Sequence, residues 1–119
     1  MSKLSFPPPW IQADGKFVDA ETATDPGNEI VVLTTTIAAG ESWRIVAACL
    51  NNPMPGVIKV LLNSQLIGSG LIRSAETNLV IPWVPGRQVV GGDTIDVTFS
   101  QMANTPITTV RSHLMLADC

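Results

Sequence analysis

His113 is the only histidine in the 119-residue chain, so any imidazole acid–base pair or metal site would have to be built around it. Its predicted strand face carries Thr109, Arg111 and Met115, which indicates a surface or interface imidazole. The serine in Gly68-Ser69-Gly70 lacks the spacing of a nucleophile elbow, and this segment is more typical of a strand bulge or turn. We therefore predict that the protein is not an enzyme.

A series of acidic residues offers the oxygen ligands that calcium requires. Its spacing does not match an EF-hand, and the segment Asp25-Pro26-Gly27-Asn28 is typical of a turn capped by an acidic side chain. Cation binding stays an open alternative here, and no cofactor is expected. The residues in question are Asp14, Asp19, Glu21, Asp25 and Glu29.

Trp10, Trp43 and Trp83 have flat aromatic faces on which a sugar ring can stack. The chain has no tyrosine to complete such a platform. Because Trp43 begins one apolar run and Trp83 ends another, at least one of them is expected in the core. A carbohydrate-binding β-sandwich module is nevertheless retained as the alternative function.

Composition favours a protein that buries part of its surface against another chain. Hydrophobic residues make up 45% of the sequence but charged residues only 14%, whereas soluble domains usually carry about 25% charged residues. Thr, Ser, Asn and Gln fill most of the remaining polar positions. We therefore predict a homo-oligomer, with a trimer favoured.

Charge and hydropathy exclude two other classes of partner. The net charge of −3 leaves no basic patch for a phosphate backbone, so nucleic acid is not expected. No apolar run approaches the roughly 20 residues that span a bilayer, and the N-terminus has no signal-peptide core, so no membrane is expected. We therefore expect the protein to be made in a cytoplasm.

Cys49 and Cys119 have neither the spacing of a disulfide framework nor that of a metal site. A bond between them remains an alternative. The favoured interpretation is a buried thiol at Cys49 and a loose one at the terminus.

Alternating apolar and polar residues predict an all-β fold, an antiparallel β-sandwich of about eight strands. Ile95, Val97 and Phe99 alternate with polar neighbours, so we expect them to face the core. Strands 30–37 and 43–50 flank a short turn and are expected to pair, and strands 57–62 and 66–71 are close enough along the chain to form a hairpin. Prolines are expected to interrupt the strand that begins at 78. The predicted strands are 16–19, 30–37, 43–50, 57–62, 66–71, 78–83, 94–100 and 109–116.

Residues 1–15 are predicted to form an extended arm ahead of a sandwich domain at 16–119. Three consecutive prolines remove three backbone donors and favour polyproline II. The aromatic residues on either side of them would be costly to leave in water, so we expect the arm to bind a partner surface. The expected partner-binding residues are Phe6, Pro7, Pro8, Pro9 and Trp10.

Gly40-Glu41 and Gly92-Asp93 each lead from a turn into a strand, and the chain closes on Ser112-His113-Leu114-Met115-Leu116-Ala117-Asp118. In these features the sequence resembles small jelly-roll domains of the tumour-necrosis-factor and C1q type. Its low charge, abundant threonine and N-terminal arm are more similar to decoration or cement proteins of tailed-phage heads. The resemblance implies a trimeric jelly roll that binds a capsid through protein–protein contacts in a virion.

Overall fold

The computed structural model describes residues 15–51, 53–74 and 78–118. The predicted arm residues Phe6 to Trp10 and the terminal Cys119 lie outside these ranges. Within them, no helix is long and apolar enough to cross a membrane.

Eight β-strands form the described chain, as alternation in the sequence predicted. The strands are β1 (Gly15–Ala23), β2 (Glu29–Thr36), β3 (Ser42–Asn51), β4 (Gly56–Leu62), β5 (Gln65–Ile72), β6 (Asn78–Val90), β7 (Thr94–Gln101) and β8 (Thr109–Asp118).

The strands form two four-stranded antiparallel sheets. Sheet I has the order β1-β8-β3-β6, and sheet II has the order β2-β7-β4-β5. The pairs β1/β8, β2/β7, β3/β6 and β4/β5 are therefore nested from the ends of the chain inwards. This winding is that of a jelly roll, and the predicted all-β sandwich is confirmed.

The core lies between the two inner sheet faces. Ile95, Val97 and Phe99 of β7 are all 0% exposed, which confirms the predicted face of that strand. From sheet I, Val110, Ser112, Leu114 and Leu116 of β8 point inwards. One face per strand is buried because successive side chains of a strand point to opposite sides of its sheet.

The predicted pairing of strands 30–37 and 43–50 is wrong. β2 pairs with β7 in sheet II, whereas β3 pairs with β6 and β8 in sheet I. The short turn between β2 and β3 therefore carries the chain from one sheet to the other. By contrast, β4 and β5 do form the predicted hairpin, with Asn63 and Ser64 at positive φ in its two-residue turn.

Prolines do not end β6, contrary to expectation. This strand runs through Pro82 and Pro85 as far as Val90. It is an edge strand, so only one side of it needs backbone donors for pairing. Its residues 83–86 bulge opposite Val46, where the register with β3 shifts.

The outward face of β7 is less exposed to solvent than the alternation of apolar and polar residues predicted. Thr98 is only 5% exposed although it points away from the core. β7 lies between β2 and β4, and Thr98 Oγ1 donates a 2.8 Å hydrogen bond to Glu29 Oε2 on the neighbouring strand. Neighbouring long side chains therefore cover a position that alternation alone assigned to solvent.

The predicted turn at Gly91-Gly92-Asp93 ties the two sheets together at one end of the sandwich. Asp93 accepts hydrogen bonds from the Val90 amide (2.8 Å) and from Asn63 Nδ2 (2.9 Å). These two bonds lower the pKa of the Asp93 carboxyl. Asn63 Oδ1 in turn accepts from the Thr94 amide at 2.9 Å, so the β4–β5 turn and the β6–β7 turn are joined.

Candidate functional site

The outer face of sheet I carries apolar side chains across all four of its strands. Strand register places Phe17 beside Met115, Met115 beside Ala47, and Ala47 beside Pro82. In the next row of outward-facing residues, Cys49 lies beside Val80. We call these six residues the apolar band: Phe17, Met115, Ala47, Pro82, Cys49 and Val80.

Several side chains of the apolar band are open to solvent. Phe17 is 61% exposed, Val80 53% and Met115 38%, while Ala47 and Cys49 are partly buried by their neighbours. Apolar side chains normally pack inwards, and a contiguous exposed group with a polar rim marks an interaction surface. The apolar band crosses all four strands of sheet I.

One end of the band is bordered by a polar row. Arg111 of β8 lies 3.8 Å from Asp19 Oδ2 and 3.9 Å from Glu21 Oε2, both on β1. The next residues in the same cross-strand row are Asn51 and Asn78. Asp19 itself lies in the same cross-strand row as His113, Cys49 and Val80, so this row of the outer face is polar on β1 and β8 and apolar on β3 and β6.

His113 lies on this outer face, as its strand alternation predicted. Its ring centroid is 5.1 Å from that of Phe17, and Asn51 Nδ2 lies 3.1 Å from its Nε2. The amide donates to Nε2 when the neutral ring carries its hydrogen on Nδ1. Nδ1 is buried and has no hydrogen-bond partner in the described part of the chain.

Register places Cys49 directly opposite His113, with Asn51 two residues further along β3. Sequence reasoning missed this group because His113 is more than sixty positions away from Cys49 and Asn51. Cysteine, histidine and asparagine are the residue types of one class of catalytic triad. Here, however, Nδ1 is not bonded to the thiol, and burial raises the pKa of Cys49, which disfavours the reactive thiolate. The group is a packed part of the band.

Cys49 is a free thiol. It is partly buried on the outer face of β3, so the thiol that was expected to be buried is in fact near the surface. The alternative of a bond to Cys119 falls on a residue outside the described ranges.

The acidic residues proposed as calcium ligands bind other side chains. Asp19 and Glu21 contact Arg111, Asp25 accepts a 3.2 Å hydrogen bond from Asn28, and Glu29 lies 3.9 Å from Lys59. No group of three or more His, Cys, Asp or Glu residues that could hold a metal ion occurs within 15–51, 53–74 and 78–118. Asp14 lies outside these ranges.

Trp43 and Trp83 do not present a flat platform to solvent. Both are partly buried and pack against the core. Trp43 Nε1 donates to Glu41 Oε1 at 3.0 Å, and Trp83 Nε1 donates to the Ile67 carbonyl at 3.3 Å. A side chain at Gly68 would approach the Trp83 ring to 2.9 Å, so this glycine admits the indole between the sheets. The third tryptophan, Trp10, lies outside the described residues.

The fold and the band together define a small antiparallel β-sandwich with an exposed apolar sheet face. No protein-family model matches the chain, and no curated protein matches it.

Two solved structures are similar to this chain at low sequence identity. A chain of the cyanophage Pam1 capsid asymmetric unit is 12% identical, with a TM-score of 0.44 over 99% of this chain and 94% of that one. A chain from the structure of infectious bursal disease virus Gx strain is 10% identical, with a TM-score of 0.42 over 89% of this chain. This protein spans 34% of the length of that viral chain.

Proposed function

We propose that this protein is a structural assembly protein, a decoration or cement protein of a virion, which binds other protein chains and catalyses no reaction. The observation that carries the proposal is the apolar band, since it exposes Phe17 and Val80 on a sheet face that a monomer would be expected to cover with polar groups.

The rest of the surface supports the same role. The charged share of 14% is low for a soluble domain, and the carboxylates beside the band are held by Arg111. Interfaces between protein chains have such a composition at their centre, where charged residues are depleted and aromatic residues and methionine are enriched.

Residues 1–15 are proposed as the second binding element. Phe6 and Trp10 would anchor this arm to a neighbouring subunit or to a capsid surface. A proline-rich segment loses little chain freedom on docking, because it is extended before it binds. The proposed oligomer is a trimer, following the resemblance to jelly-roll decoration proteins.

Sedimentation velocity of the full chain between about 1 and 100 µM tests the assembly role. We expect a species larger than the 12.7 kDa chain whose fraction rises with concentration. A single 12.7 kDa species over the whole range would contradict self-assembly. The virion role is tested separately by mass spectrometry of purified particles of the encoding virus, in which the chain should be present in a fixed ratio to the major capsid protein.

A further inference from the structure

We infer that copies of this chain join edge to edge, with β5 of one copy pairing antiparallel with β2 of the next. The inference rests on the proposed self-assembly and names two strands that would carry it.

The four edge strands of the sandwich differ in how they are protected against pairing with another chain. In sheet I, β1 carries Asp19 and Glu21 on its outer side, and β6 contains Pro82 and Pro85. Charged side chains and prolines are usual means of keeping an edge strand unpaired. In sheet II, the edge strands β2 and β5 contain no proline, and their one charged residue, Glu29, is the first residue of β2. Sheet II therefore has two edges that are open to a further strand.

The directions of β2 and β5 suit a pairing between copies. Alternate residues of each point their N–H and C=O groups away from sheet II, because an edge strand has a neighbour on one side only. Every neighbour in the order β2-β7-β4-β5 is antiparallel, so β2 and β5 run in opposite directions. A second copy that is related by an axis parallel to the strands, and placed beside β5, therefore presents its β2 in the antiparallel orientation.

β2 and β5 also match in length and in irregularity. Each has eight residues, and each contains one extra residue relative to its neighbour in the sheet, Val32 in β2 and Ile67 in β5. A bulge in one strand shifts the register of a pair by one residue. Because each strand has one bulge, the second shift cancels the first.

One register pairs complementary side chains at the start of β2. It places Glu29 opposite Arg73, which directly follows β5, and Val31 opposite Leu71. Glu29 is 46% exposed beside Lys59 and Arg73 is exposed, so the two opposite charges can meet between copies. Val31 and Leu71 are 55% and 61% exposed, and each would cover the other.

The same register continues to the other end of both strands. After the bulge at Val32 it places Thr34 opposite Ser69, and after the bulge at Ile67 it places Thr36 opposite Leu66. Each of these residues lies on the outer face of sheet II in its own copy. Outward side chains therefore meet outward side chains along the whole pair.

This pairing is heterologous, because each copy uses β5 towards one neighbour and β2 towards the other. Such contacts either close into a ring or continue as a filament. Three copies close a ring when successive copies are rotated by one third of a turn, which agrees with the proposed trimer.

Cysteine cross-linking at Thr34 and Ser69 tests the pairing. The variant Thr34→Cys/Ser69→Cys is made in the full-length Cys49→Ala/Cys119→Ser background, which removes both native cysteines. Opposite residues of antiparallel strands have Cβ atoms about 4.5–5.5 Å apart, which small adjustments bring within reach of a disulfide. Within one chain the two positions lie on opposite edges of sheet II, roughly 14 Å apart, and cannot be linked to each other. Mild oxidation should therefore give covalent trimers on a non-reducing gel.

Two kinds of variant in the same background are the controls. Thr36→Cys/Leu71→Cys also places one thiol on each edge, but roughly 15 Å apart along the paired strands, so it should form no link. The single variants Thr34→Cys and Ser69→Cys have a thiol on one edge only and should not link either.

Charge exchange gives a second measurement without added cysteines. Arg73→Glu places two carboxylates opposite each other between copies, and it should weaken self-association by about threefold or more in sedimentation experiments. Adding Glu29→Arg should restore association, because the opposite charges then meet again. Arg87→Glu makes the same change in net charge on β6 and should leave association unchanged.

Each other outcome overturns the inference. Equal linking in Thr36→Cys/Leu71→Cys would show random collision, and dimers of Ser69→Cys alone would show that β5 pairs with itself. Wild-type oligomers combined with no link, and with no effect of Arg73→Glu, would show that copies meet through another surface while the assembly function stands. A wild-type protein that is monomeric at every concentration would instead refute the assembly function itself.

Discussion

The outer faces of the two sheets differ although both belong to four-stranded sheets of one sandwich. On sheet I, apolar side chains continue from the edge strand β1 across to β6. On sheet II, the exposed apolar residues Val31, Leu66 and Leu71 lie on the edge strands β2 and β5. Thr98 and Lys59 of the central strands separate Val31 from β5. Leu66 and Leu71 lie beside Leu61 and Val57 of β4.

The central polar residues of sheet II satisfy one another. Glu29 accepts a hydrogen bond from Thr98 and lies 3.9 Å from Lys59, and Asp96 stands between Thr34 and Leu61 in the next outward row. In sheet I the exposed apolar row is continuous across four strands, whereas Thr98 and Lys59 interrupt the row that begins at Val31 in sheet II. Sheet I is therefore the face that we propose for assembly.

The largest expected effect concerns the core, which lies between the two sheets. Phe99→Ala should destabilise the protein by about 3–5 kcal/mol, because the ring is fully buried between the sheets and its removal leaves a cavity. Chemical denaturation of the wild type and the variant measures this difference. Phe99→Leu, which keeps more of the side-chain volume, is the control and should cost less. An unchanged midpoint for Phe99→Ala would mean that the β7 face assignment is wrong.

A smaller and more selective effect should separate the two outer faces. Phe17 and Val31 are 61% and 55% exposed on edge strands of sheets I and II, so they form a matched pair. Phe17→Ser should weaken self-association by about tenfold or more, equivalent to about 1.4 kcal/mol, while its melting temperature stays close to that of the wild type. Val31→Ser should weaken association less, because it changes one side-chain pair at a sheet edge. Equal losses of association in the two variants, measured by sedimentation, would remove the distinction between the faces.

The smallest expected effect is on the stability of the whole sandwich, and it should depend on pH. The pKa of Asp93 is lowered in the folded state by its bonds to Asn63 and Val90. Its stabilising contribution is therefore present above the unfolded aspartate pKa of about 3.9 and is lost as the pH falls through the folded pKa. Asp93→Asn should lower the melting temperature slightly at pH 7, and the difference from wild type should narrow by pH 3.

This substitution should leave association untouched, since the turn at Asp93 lies away from the apolar band. Thermal scans at the two pH values, with sedimentation at pH 7, check both statements. A difference in melting temperature that widened in acid would contradict the sign of the pKa shift.

The sequence alone determined that the fold has eight strands, and it determined the inward face of β7. Alternation at Ile95, Val97 and Phe99 identified the buried face of β7, because the period of a strand is two whatever its neighbours are. The β4–β5 hairpin was also predictable, since a two-residue connection brings adjacent strands together locally.

Only the tertiary structure decided which strands pair and which outer face is apolar. In the nested winding, β2 binds β7, which lies more than fifty positions away along the chain, and no local signal distinguishes that partner from the adjacent β3. The prolines of β6 were tolerated because that strand lies at an edge, a position that depends on the whole sheet order. Likewise, the apolar band joins residues 17, 47, 82 and 115. Each is an unremarkable apolar residue in its own segment, and the strand register makes them one surface.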